Sequence, residues 1–534
     1  MIAKNSTRNL INVLQCSRTS GYIPHRSTTE IAAASKEATL TTTPSVNRPQ
    51  DGRTRLSVPA SAKPTFDLDQ PVLRFAETDD AWSLRHACEN AQIFGRIGSG
   101  KTSGSGLHIA KSFLRSGFGG LVLTAKPDEL AFWVDLCRRT GRLNSLIVVD
   151  ADGKAAFNFM DYELRRGGAG AGNISNIAKL LTQIAELDRP SGQGGANEQF
   201  WQSNLERLIA NALQVSVAVD GKASLDRIEE LIRSSPKTRQ EAEDPQWCAG
   251  SALYQALDRL DGMTETLPES DYFDSRRAVD YWLHEFPGMD ERTRSNIIAT
   301  FEAVADNFLR GDTRRLFCTT TTIVPEMTHL GHIIIVNLPT AEHGPFGRMA
   351  QVLLKYVWQR ATLRRIGKVN HNTRPVFLWA DESQEFVTSA DADFLNQGRA
   401  ALACVVYLTQ SLPNYHAKIG KAATDSLLGS FNTKFFHSLA CAETAQYAAE
   451  LIARDRRYTI GYSEGASSGL EIAQPNINYS ESMDYQLHSR DFYNLRSGGP
   501  ANDSNVDAVI VQGGRVWRPS GKNFLHWSMR QTIR

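Results

Sequence analysis

The sequence predicts an α/β protein whose mostly parallel sheet has helices on both faces. Short apolar segments such as Leu121–Thr124 and Leu146–Val149 have the length and composition of buried strands, and segments of helical periodicity separate them. Strands that alternate with helices favour a parallel sheet, because each crossover helix packs on one face. The alternation resumes at Ile333–Val336 after a helical pattern from about 173 to 315. That pattern predicts an all-α domain inserted into the sheet domain.

A glycine-rich turn lies between the strand Ala91–Phe94 and the helical pattern that follows it. The turn Gly95–Thr102 fits the pattern G-x-x-x-x-G-K-[ST], in which backbone N–H groups surround phosphates at the positive end of a helix. Lys101 would reach the β- and γ-phosphates, and Thr102 would ligate Mg²⁺. The context predicts a P-loop NTPase (RecA-like) fold with ATP and Mg²⁺ as cofactors, and a chance glycine-rich turn is the alternative. The residues predicted to bind nucleotide are Gly95, Arg96, Ile97, Gly98, Ser99, Gly100, Lys101, Thr102 and Ser103.

Two adjacent carboxylates supply the second half of the predicted site. Asp381 and Glu382 directly follow the apolar segment Val376–Ala380, which predicts a buried strand. Asp381 would hold Mg²⁺ through a water molecule, and Glu382 would orient and polarise the attacking water as a general base. The alternative is that both carboxylates cap the next helix. Together with the P-loop, the pair predicts ATP hydrolysis.

Two polar residues flank the predicted strand Ala401–Leu408. Arg399 precedes it and would reach the γ-phosphate held by a neighbouring subunit, or would be a solvated arginine at a helix end. Gln410 follows the strand, at the carboxyl edge where ligands of open α/β sheets gather. It would sense the γ-phosphate, or would be an ordinary capping amide. The candidate catalytic residues are therefore Lys101, Glu382, Arg399 and Gln410.

The chain divides into four predicted parts. Residues 1–68 are rich in Pro, Ser and Thr and carry more basic than acidic residues, which predicts a disordered basic leader, with a targeting peptide as the alternative. Near the C-terminus, Gly461–Ser482 predicts a mobile loop, and Asp507–Val511 with Gly514–Trp517 predicts a terminal hairpin. The parts are the leader 1–68, the first nucleotide-binding segment 69–164, the inserted all-α domain 165–315 and the second nucleotide-binding segment 316–534.

The composition excludes several classes of protein. The formal net charge is +1, so contact with nucleic acid must depend on local basic groups. Seven cysteines without a C-x-x-C pair argue against a zinc site or a disulfide framework, and no apolar run reaches the length of a membrane-spanning helix. We therefore expect a cytoplasmic protein. Basic clusters that would contact DNA phosphates, or would be solvated faces, are Arg138, Arg139 and Arg142; Arg165 and Arg166; Arg364, Arg365 and Lys368; and Arg454, Arg456 and Arg457.

These motifs together resemble the coupling-protein ATPases of type IV secretion and bacterial conjugation (TraG/TraD-like), within the HerA/FtsK group of ring translocases. The resemblance spans roughly 80 to 517 and depends most on the order of the Asp-Glu, Gly-Arg and Thr-Gln-Ser motifs. The segments that are similar to the family are Trp82–Arg85, Gly95–Thr102, Leu121–Leu130 with its Lys-Gly-Glu-like end, Ala156–Phe159, Thr293–Ile297, Ala380–Phe386, Gly398–Arg399, Thr409–Ser411 and Met483–Gly499.

The resemblance implies an inserted all-α domain and a hexameric ring that moves DNA, with ATP bound between subunits. It implies that Arg399 is an arginine finger and Gln410 a glutamine sensor. Possible partners are then a relaxase or relaxosome and type IV secretion channel proteins. Family members commonly begin with two membrane-spanning helices, and none is predicted here. A membrane partner would recruit the chain to the inner membrane, or it is a soluble HerA-like motor in DNA processing or defence, or an ATP-switched module that recruits a relaxase or secreted protein.

Overall fold

The computed structural model describes residues 65–75, 80–186, 196–263, 267–388, 390–463, 476–518 and 520–531. A nine-stranded sheet forms its centre, and two small antiparallel pairs lie outside that sheet. The strands are β1 (Pro71–Arg74), β2 (Ala81–Ser83), β3 (Ala91–Phe94), β4 (Gly119–Leu123), β5 (Leu146–Val149), β6 (Ile333–Val336), β7 (Val376–Ala380), β8 (Ala403–Thr409), β9 (Thr433–Phe436), β10 (Arg454–Ser463), β11 (Asn476–Tyr485), β12 (Asn505–Gln512) and β13 (Phe524–Arg530).

The central sheet has the strand order β5-β6-β4-β7-β8-β3-β9-β12-β13. Neighbouring strands from β5 to β9 in this order are parallel, whereas β12 pairs antiparallel with both β9 and β13. Strand β8 therefore separates the strand before the glycine turn, β3, from the strand before the carboxylate pair, β7. The prediction of a mostly parallel sheet is confirmed.

Apolar residues of the sheet point alternately into two cores, one on each face. In β4, Leu121 and Leu123 enter one core and Val122 enters the other. The first core continues into helices inserted between β5 and β6, and the second contains Phe113 and Trp133 from the two helices that follow β3 and β4. Because both faces of the parallel strands are buried, these strands are apolar throughout, as the sequence predicts.

The segment between β5 and β6 is helical over most of its described length. The helix Glu291–Phe308 begins where the carboxylate of Asp290 accepts two backbone N–H groups, and its stripe Ile297, Phe301 and Phe308 is buried. The helices of this segment are Phe159–Arg165, Ile174–Glu186, Ala196–Asp220, Leu225–Arg233, Arg239–Ala242, Pro245–Gly250, Ala252–Met263, Glu269–Asp280, Glu291–Phe308 and Gly311–Phe317. The other helices are Leu84–Ala87, Leu107–Arg115, Glu129–Arg139, Thr340–Leu363, Asp391–Gly398, Leu412–Ile419, Lys421–Gly429, Ala442–Ile452 and Ser489–Tyr493.

None of the helices in the described part of the chain is both long and apolar enough to cross a lipid bilayer. Most of the predicted leader, residues 1–64, lies outside the described residues. Phe66, which the prediction placed in the leader, is buried and packs edge-on against Phe118. Its backbone N–H donates to the carbonyl oxygen of His371 at 2.7 Å. The division of the chain into four parts stays a prediction.

Two predictions near the C-terminus are wrong in part, although the first predicted strand of the hairpin, Asp507–Val511, lies within β12. The terminal hairpin pairs β12 with β13, and Gly514–Trp517 is a turn in which Gly514 has a φ of +73° and Arg515 donates to the carboxylate of Asp80 at 3.0 Å. The predicted mobile loop Gly461–Ser482 contains the ends of β10 and β11, and residues 464–475 lie outside the described residues. The described side chains of these strands are mostly exposed, so the strands are stabilised by their mutual backbone hydrogen bonds more than by burial.

Two glycines at the start of β4 are required by close packing. A Cβ on Gly119 would overlap the carbonyl oxygen of Thr328, and one on Gly120 would overlap the ring of Phe377. We expect Gly119→Ala to lower the free energy of unfolding by about 1–3 kcal/mol, because backbone cannot move aside as a flexible side chain does. Urea denaturation measures this effect. In the control Gly167→Ala a Cβ has no neighbour within 4 Å, and equal denaturation midpoints for the two variants would contradict the prediction.

Candidate active site

The turn Gly95–Thr102 joins β3 to a short helical turn at Thr102–Gly106 and then to the helix Leu107–Arg115. Gly98 and Gly100 have φ values of +72° and +83°, which side-chain-bearing residues rarely adopt. Gly98 has open space where a Cβ would lie, whereas a Cβ on Gly100 would come within 2.7 Å of Val506. The turn therefore has an open backbone surface on one side and a packed one on the other, as a phosphate-binding loop needs.

The structure brings the predicted halves of the site together. The hydroxyl of Thr102 donates to Oδ2 of Asp381 at 2.6 Å. Lys101 Nζ lies 3.5 Å from Oε1 of Glu382 and 3.9 Å from Oδ1 of Asp381. Lys101, Asp381 and Glu382 are all buried, so these ion pairs are little screened by water. One lysine, one hydroxyl and two carboxylates thus converge where β7 ends.

Both oxygens of Glu382 are occupied by donors. Lys126 Nζ donates to Oε1 at 2.7 Å, and the amide of Gln410 lies 3.3 Å from Oε1 and 3.2 Å from Oε2. The amide of Gln384 donates to Oε2 at 3.1 Å and is itself held by the hydroxyl of Thr409. Glu382 has a φ of +49°, a left-handed conformation that is uncommon outside glycine and asparagine. Gln410 therefore lies beside the predicted base, at the carboxyl edge of the sheet.

Neighbouring lysines keep Glu382 ionised. Burial alone would raise its pKa, but the charge of Lys101 and the hydrogen bond from Lys126 outweigh burial and lower the pKa to about 2. The same hydrogen bond raises the pKa of Lys126 against its own partial burial. At neutral pH the site therefore contains an ionised carboxylate that is held by two ammonium groups.

Glu129 is a second buried carboxyl near Asp381. Its Oε1 accepts the backbone N–H groups of Ala125 and Lys126 at 3.1 and 2.9 Å, and its buried Oε2 has no hydrogen-bond partner in the described part of the chain. Burial, together with the negative charge of Asp381, raises the pKa of Glu129 to about 8. Glu129 is therefore protonated at neutral pH, whereas Glu382 is ionised.

Arg399 lies at the amino ends of the parallel strands, whereas the other predicted site residues lie at their carboxyl ends. It precedes β8, whereas Gln410 follows it, and the strand between them advances about 20 Å at about 3.3 Å per residue. The side chain of Arg399 is 56% exposed and pairs with Glu89 at 3.3 Å. The structure thus brings Lys101, Glu382 and Gln410 together but leaves Arg399 apart from them within one chain.

Several arginines that were candidates for DNA contact are held by the protein itself. Arg142 donates to three backbone carbonyl oxygens, and Arg166 forms a buried ion pair with Glu163. Arg365 is largely buried and donates to the carbonyl oxygen of Arg374. These residues stabilise the fold and offer no exposed charge to phosphates.

No family model and no curated protein matches the sequence. Solved structures do match. The unbound monoclinic form of the bacterial conjugative coupling protein TrwB is similar with a TM-score of 0.55 and 14% identity, over 84% of this chain and 86% of that chain. The plasmid coupling protein TrwB in complex with ADP and Mg²⁺ is similar with a TM-score of 0.56 and 13% identity, over 87% and 91%. Its complex with the ATP analogue ADPNP gives 0.53 and 14%, over 89% and 90%.

The chain has the fold of TrwB. The predicted P-loop NTPase fold is thereby confirmed, and the resemblance to coupling proteins holds at the level of fold. The TrwB-like sheet places the ends of β3, β7 and β8 side by side at its carboxyl edge, where such sheets bind their ligands.

Sequence reasoning missed Lys126, Glu129 and Gln384 as site residues. A signal for Lys126 and Glu129 was present, since both follow the apolar segment that forms β4. The pairing of β4 with β7, which brings them beside Asp381 and Glu382, follows from the strand order of the fold. Gln384 lies within the quoted Asp-Glu motif, but its contact with Glu382 depends on the tight turn at Ser383–Glu385.

The raised pKa of Glu129 predicts a pH-dependent loss of stability. Below pH 4.5, its ordinary pKa, the carboxyl is protonated in both folded and unfolded chains, and between 4.5 and about 8 only the unfolded chain ionises it. Stability therefore falls as the pH rises through this range. The uncharged variant Glu129→Gln should lack this loss, so its free energy of unfolding should rise relative to the wild type between pH 5 and 8, as measured by denaturant titration.

Glu382→Gln provides the control with the opposite sign. Because the folded pKa of Glu382 is lowered to about 2, its stabilisation is present above pH 4.5 and is lost only as the pH falls toward 2. The difference between Glu382→Gln and the wild type should therefore stay constant from pH 5 to 8. A constant difference for Glu129→Gln over the same range would contradict the assignment.

Proposed function

We propose that this chain is an ATP-hydrolysing, DNA-translocating motor of the conjugative coupling type, which moves or delivers DNA during conjugative transfer. The observation that supports it most is the convergence of Lys101, Thr102, Asp381 and Glu382 at the carboxyl ends of β3 and β7. The TrwB-like fold adds support, since TrwB is a conjugative coupling protein that binds ADP with Mg²⁺ and an ATP analogue.

The residues present fit a magnesium–nucleotide complex. Thr102 and Asp381 present two oxygen atoms 2.6 Å apart, of the kind that Mg²⁺ prefers. A Cβ on Gly98 would face open space, and Lys101 follows three residues later in the same turn. When bound, Mg²⁺ supplies positive charge that offsets the charge developing on the phosphates. Thr102 and Asp381 would hold the ion, and Lys101 would bind the terminal phosphates.

Glu382 acts on the attacking water. An ionised carboxylate at the end of a buried strand accepts a hydrogen bond from water and orients it for in-line attack. Lys126 and Gln410 occupy its oxygens in this conformation, so Glu382 must exchange one of these donors for the water. Lys126 is 48% exposed and can move into solvent, while the buried carboxylate of Glu382 stays paired with Lys101. Gln410 then couples the position of Glu382 to the γ-phosphate.

Arg399 completes the site of a neighbouring subunit. It is too far from the P-loop of its own chain, and its exposed position suits contact with a second copy. An arginine supplied across an interface stabilises the charge of the transition state. We therefore propose a ring, most simply a homo-hexamer, with ATP between subunits. DNA would be held through phosphate contacts without base readout, and a relaxase and a type IV secretion channel are the proposed partners.

The role of Glu382 is tested by Glu382→Gln. We expect hydrolysis to fall at least about 100-fold, since a general base contributes about 10²–10⁴-fold, while ATP binding is retained. Phosphate release, with and without single-stranded and duplex DNA, and binding of a fluorescent ATP analogue measure the two effects. We expect DNA to stimulate the wild type several-fold.

The matched control is Glu385→Gln, three residues away, whose carboxylate pairs with Lys418 and not with the site. It should hydrolyse ATP at close to the wild-type rate. Normal hydrolysis by Glu382→Gln would show that another residue is the base. Wild-type hydrolysis that ignores DNA would contradict the motor and favour an ATP-switched recruitment module.

The role of Arg399 is tested by mixing variants. Arg399→Ala should bind ATP but hydrolyse it poorly, and Lys101→Ala should not hydrolyse it. In mixed rings the intact Lys101 of one subunit meets the intact Arg399 of its neighbour, so part of the activity should return. The double variant Lys101→Ala/Arg399→Ala is the control partner and should rescue nothing. If no mixing ratio restores activity, Arg399 does not act across an interface.

A further inference from the structure

Strands β10 and β11 form a two-stranded ribbon that is separate from the central sheet. They pair antiparallel along their full length, from Arg454 opposite Tyr485 to Ser463 opposite Asn476. Ten residues in each strand give a ribbon about 33 Å long, at about 3.3 Å per residue. An isolated hairpin is marginally stable in water, so a ribbon of this length gains stability if a partner covers one face.

One face of the ribbon carries its exposed apolar side chains, together with Arg454 and the ion pair of Arg456 with Glu481. Directly opposed residues share a face, which places Tyr458, Ile460 and Tyr479 on the same side. The apolar residues of this face and their exposed fractions are Tyr458 (66%), Ile460 (48%), Ile477 (44%), Tyr479 (74%) and Met483 (60%). The other face carries Thr459 opposite Ser480 and Gly461 opposite Asn478, and it is polar. The two faces of the ribbon therefore differ in polarity, as in a strand pair that packs one face on another surface.

The charges of the ribbon do not favour nucleic acid. Over 454–463 and 476–485 the three arginines are balanced by Asp455, Glu481 and Asp484, so the net charge is zero. Arg456 pairs with Glu481 and Arg457 pairs with Asp484, both at 3.2 Å. Phosphate binding needs uncompensated positive charge, which these residues lack. The apolar face instead suits a protein surface.

The ribbon starts at the same edge of the sheet as Arg399. It follows the helix Ala442–Ile452, whose last carbonyl oxygen accepts a hydrogen bond from the amide of Asn523 at 2.7 Å. Asn523 directly precedes β13, at the end where β12 and β9 place Gln512 opposite Thr433, the first residue of β9. That is the amino edge of the parallel strands. The base of the ribbon and Arg399 therefore lie along one edge, opposite the P-loop.

The size of the apolar face indicates that it belongs to a larger contact. A ribbon about 33 Å long and about 10 Å wide offers about 330 Å² on one face. A stable interface buries about 800 Å² on each partner, so this face is too small to hold a partner alone. It is large enough to extend an interface that other residues of the same edge also form.

We propose that the apolar face of the β10–β11 ribbon docks on the neighbouring copy of this chain, the copy that also receives Arg399. This proposal rests on the proposed ring. The ribbon would strengthen the subunit interface through apolar burial, while Arg399 supplies charge to the ATP site of the same neighbour.

The test compares two double variants that differ only in which face of the ribbon carries the new charges. Ile460→Asp/Tyr479→Asp places charges on the apolar face, and Thr459→Asp/Ser480→Asp places the same charges on the polar face, one residue along each strand. We expect the first to raise the concentration for half-assembly at least 10-fold in saturating ATP, and the second to leave it within 2-fold. Sedimentation velocity across a concentration series measures assembly. Binding of a fluorescent ATP analogue to dilute subunits should be unchanged in both.

A second measurement does not depend on variants. Backbone amides of β10 and β11 should become protected from hydrogen exchange when the wild type assembles with ATP. Equal assembly of both double variants, or a ribbon that stays unprotected in assembled wild type, overturns the ribbon proposal and leaves the ATPase intact. The proposal is also overturned if the apolar-face variant assembles normally but loses DNA binding. A wild type that hydrolyses ATP yet stays monomeric overturns the ring and the ribbon contact together.

Discussion

The site depends on one electrostatic arrangement, in which buried Lys101 lies between the buried carboxylates of Asp381 and Glu382. A buried charge is costly unless it is paired, so each of these three groups requires the others. The lysine and the carboxylates come from distant parts of the chain. Their pairing therefore joins the glycine turn to the end of β7, where the hydroxyl of Thr102 also donates to Asp381.

The strand order makes this arrangement possible. With β8 between β3 and β7, the carboxyl edge presents the glycine turn, then Gln410, then the carboxylate pair. The next strand, β4, ends at Leu123, and Lys126 just beyond it adds a second ammonium group beside Glu382. The helical segment connects β5 to β6, the two strands at one end of the strand order. A large insertion there leaves the order of the strands around the site unchanged.

Local sequence was sufficient where burial or a motif specifies the structure. Strands such as β6 and β7 are apolar on both faces, and the glycine turn and Asp381–Glu382 lie where their motifs predict. It was insufficient where strand pairing determines the structure. Lys126 reaches Glu382 only because β4 adjoins β7, and the exposed strands β10 and β11 form through their pairing with each other. For β13 the signal was readable, since Leu525, Trp527 and Met529 alternate with exposed residues.

Strand β8 also sets the distance between two groups that the proposed chemistry needs. Gln410 lies at one end beside Glu382, and Arg399 lies before the other end, about 20 Å away. A rigid, fully buried strand cannot bring both ends to one phosphate, so Arg399 can complete a site only if that site belongs to another copy. Strand β8 then connects two proposed subunit interfaces. A shift of β8 along its length would move the amide of Gln410 and the guanidinium of Arg399 together. In the proposed ring, such a strand would be a physical route by which one ATP site affects the next.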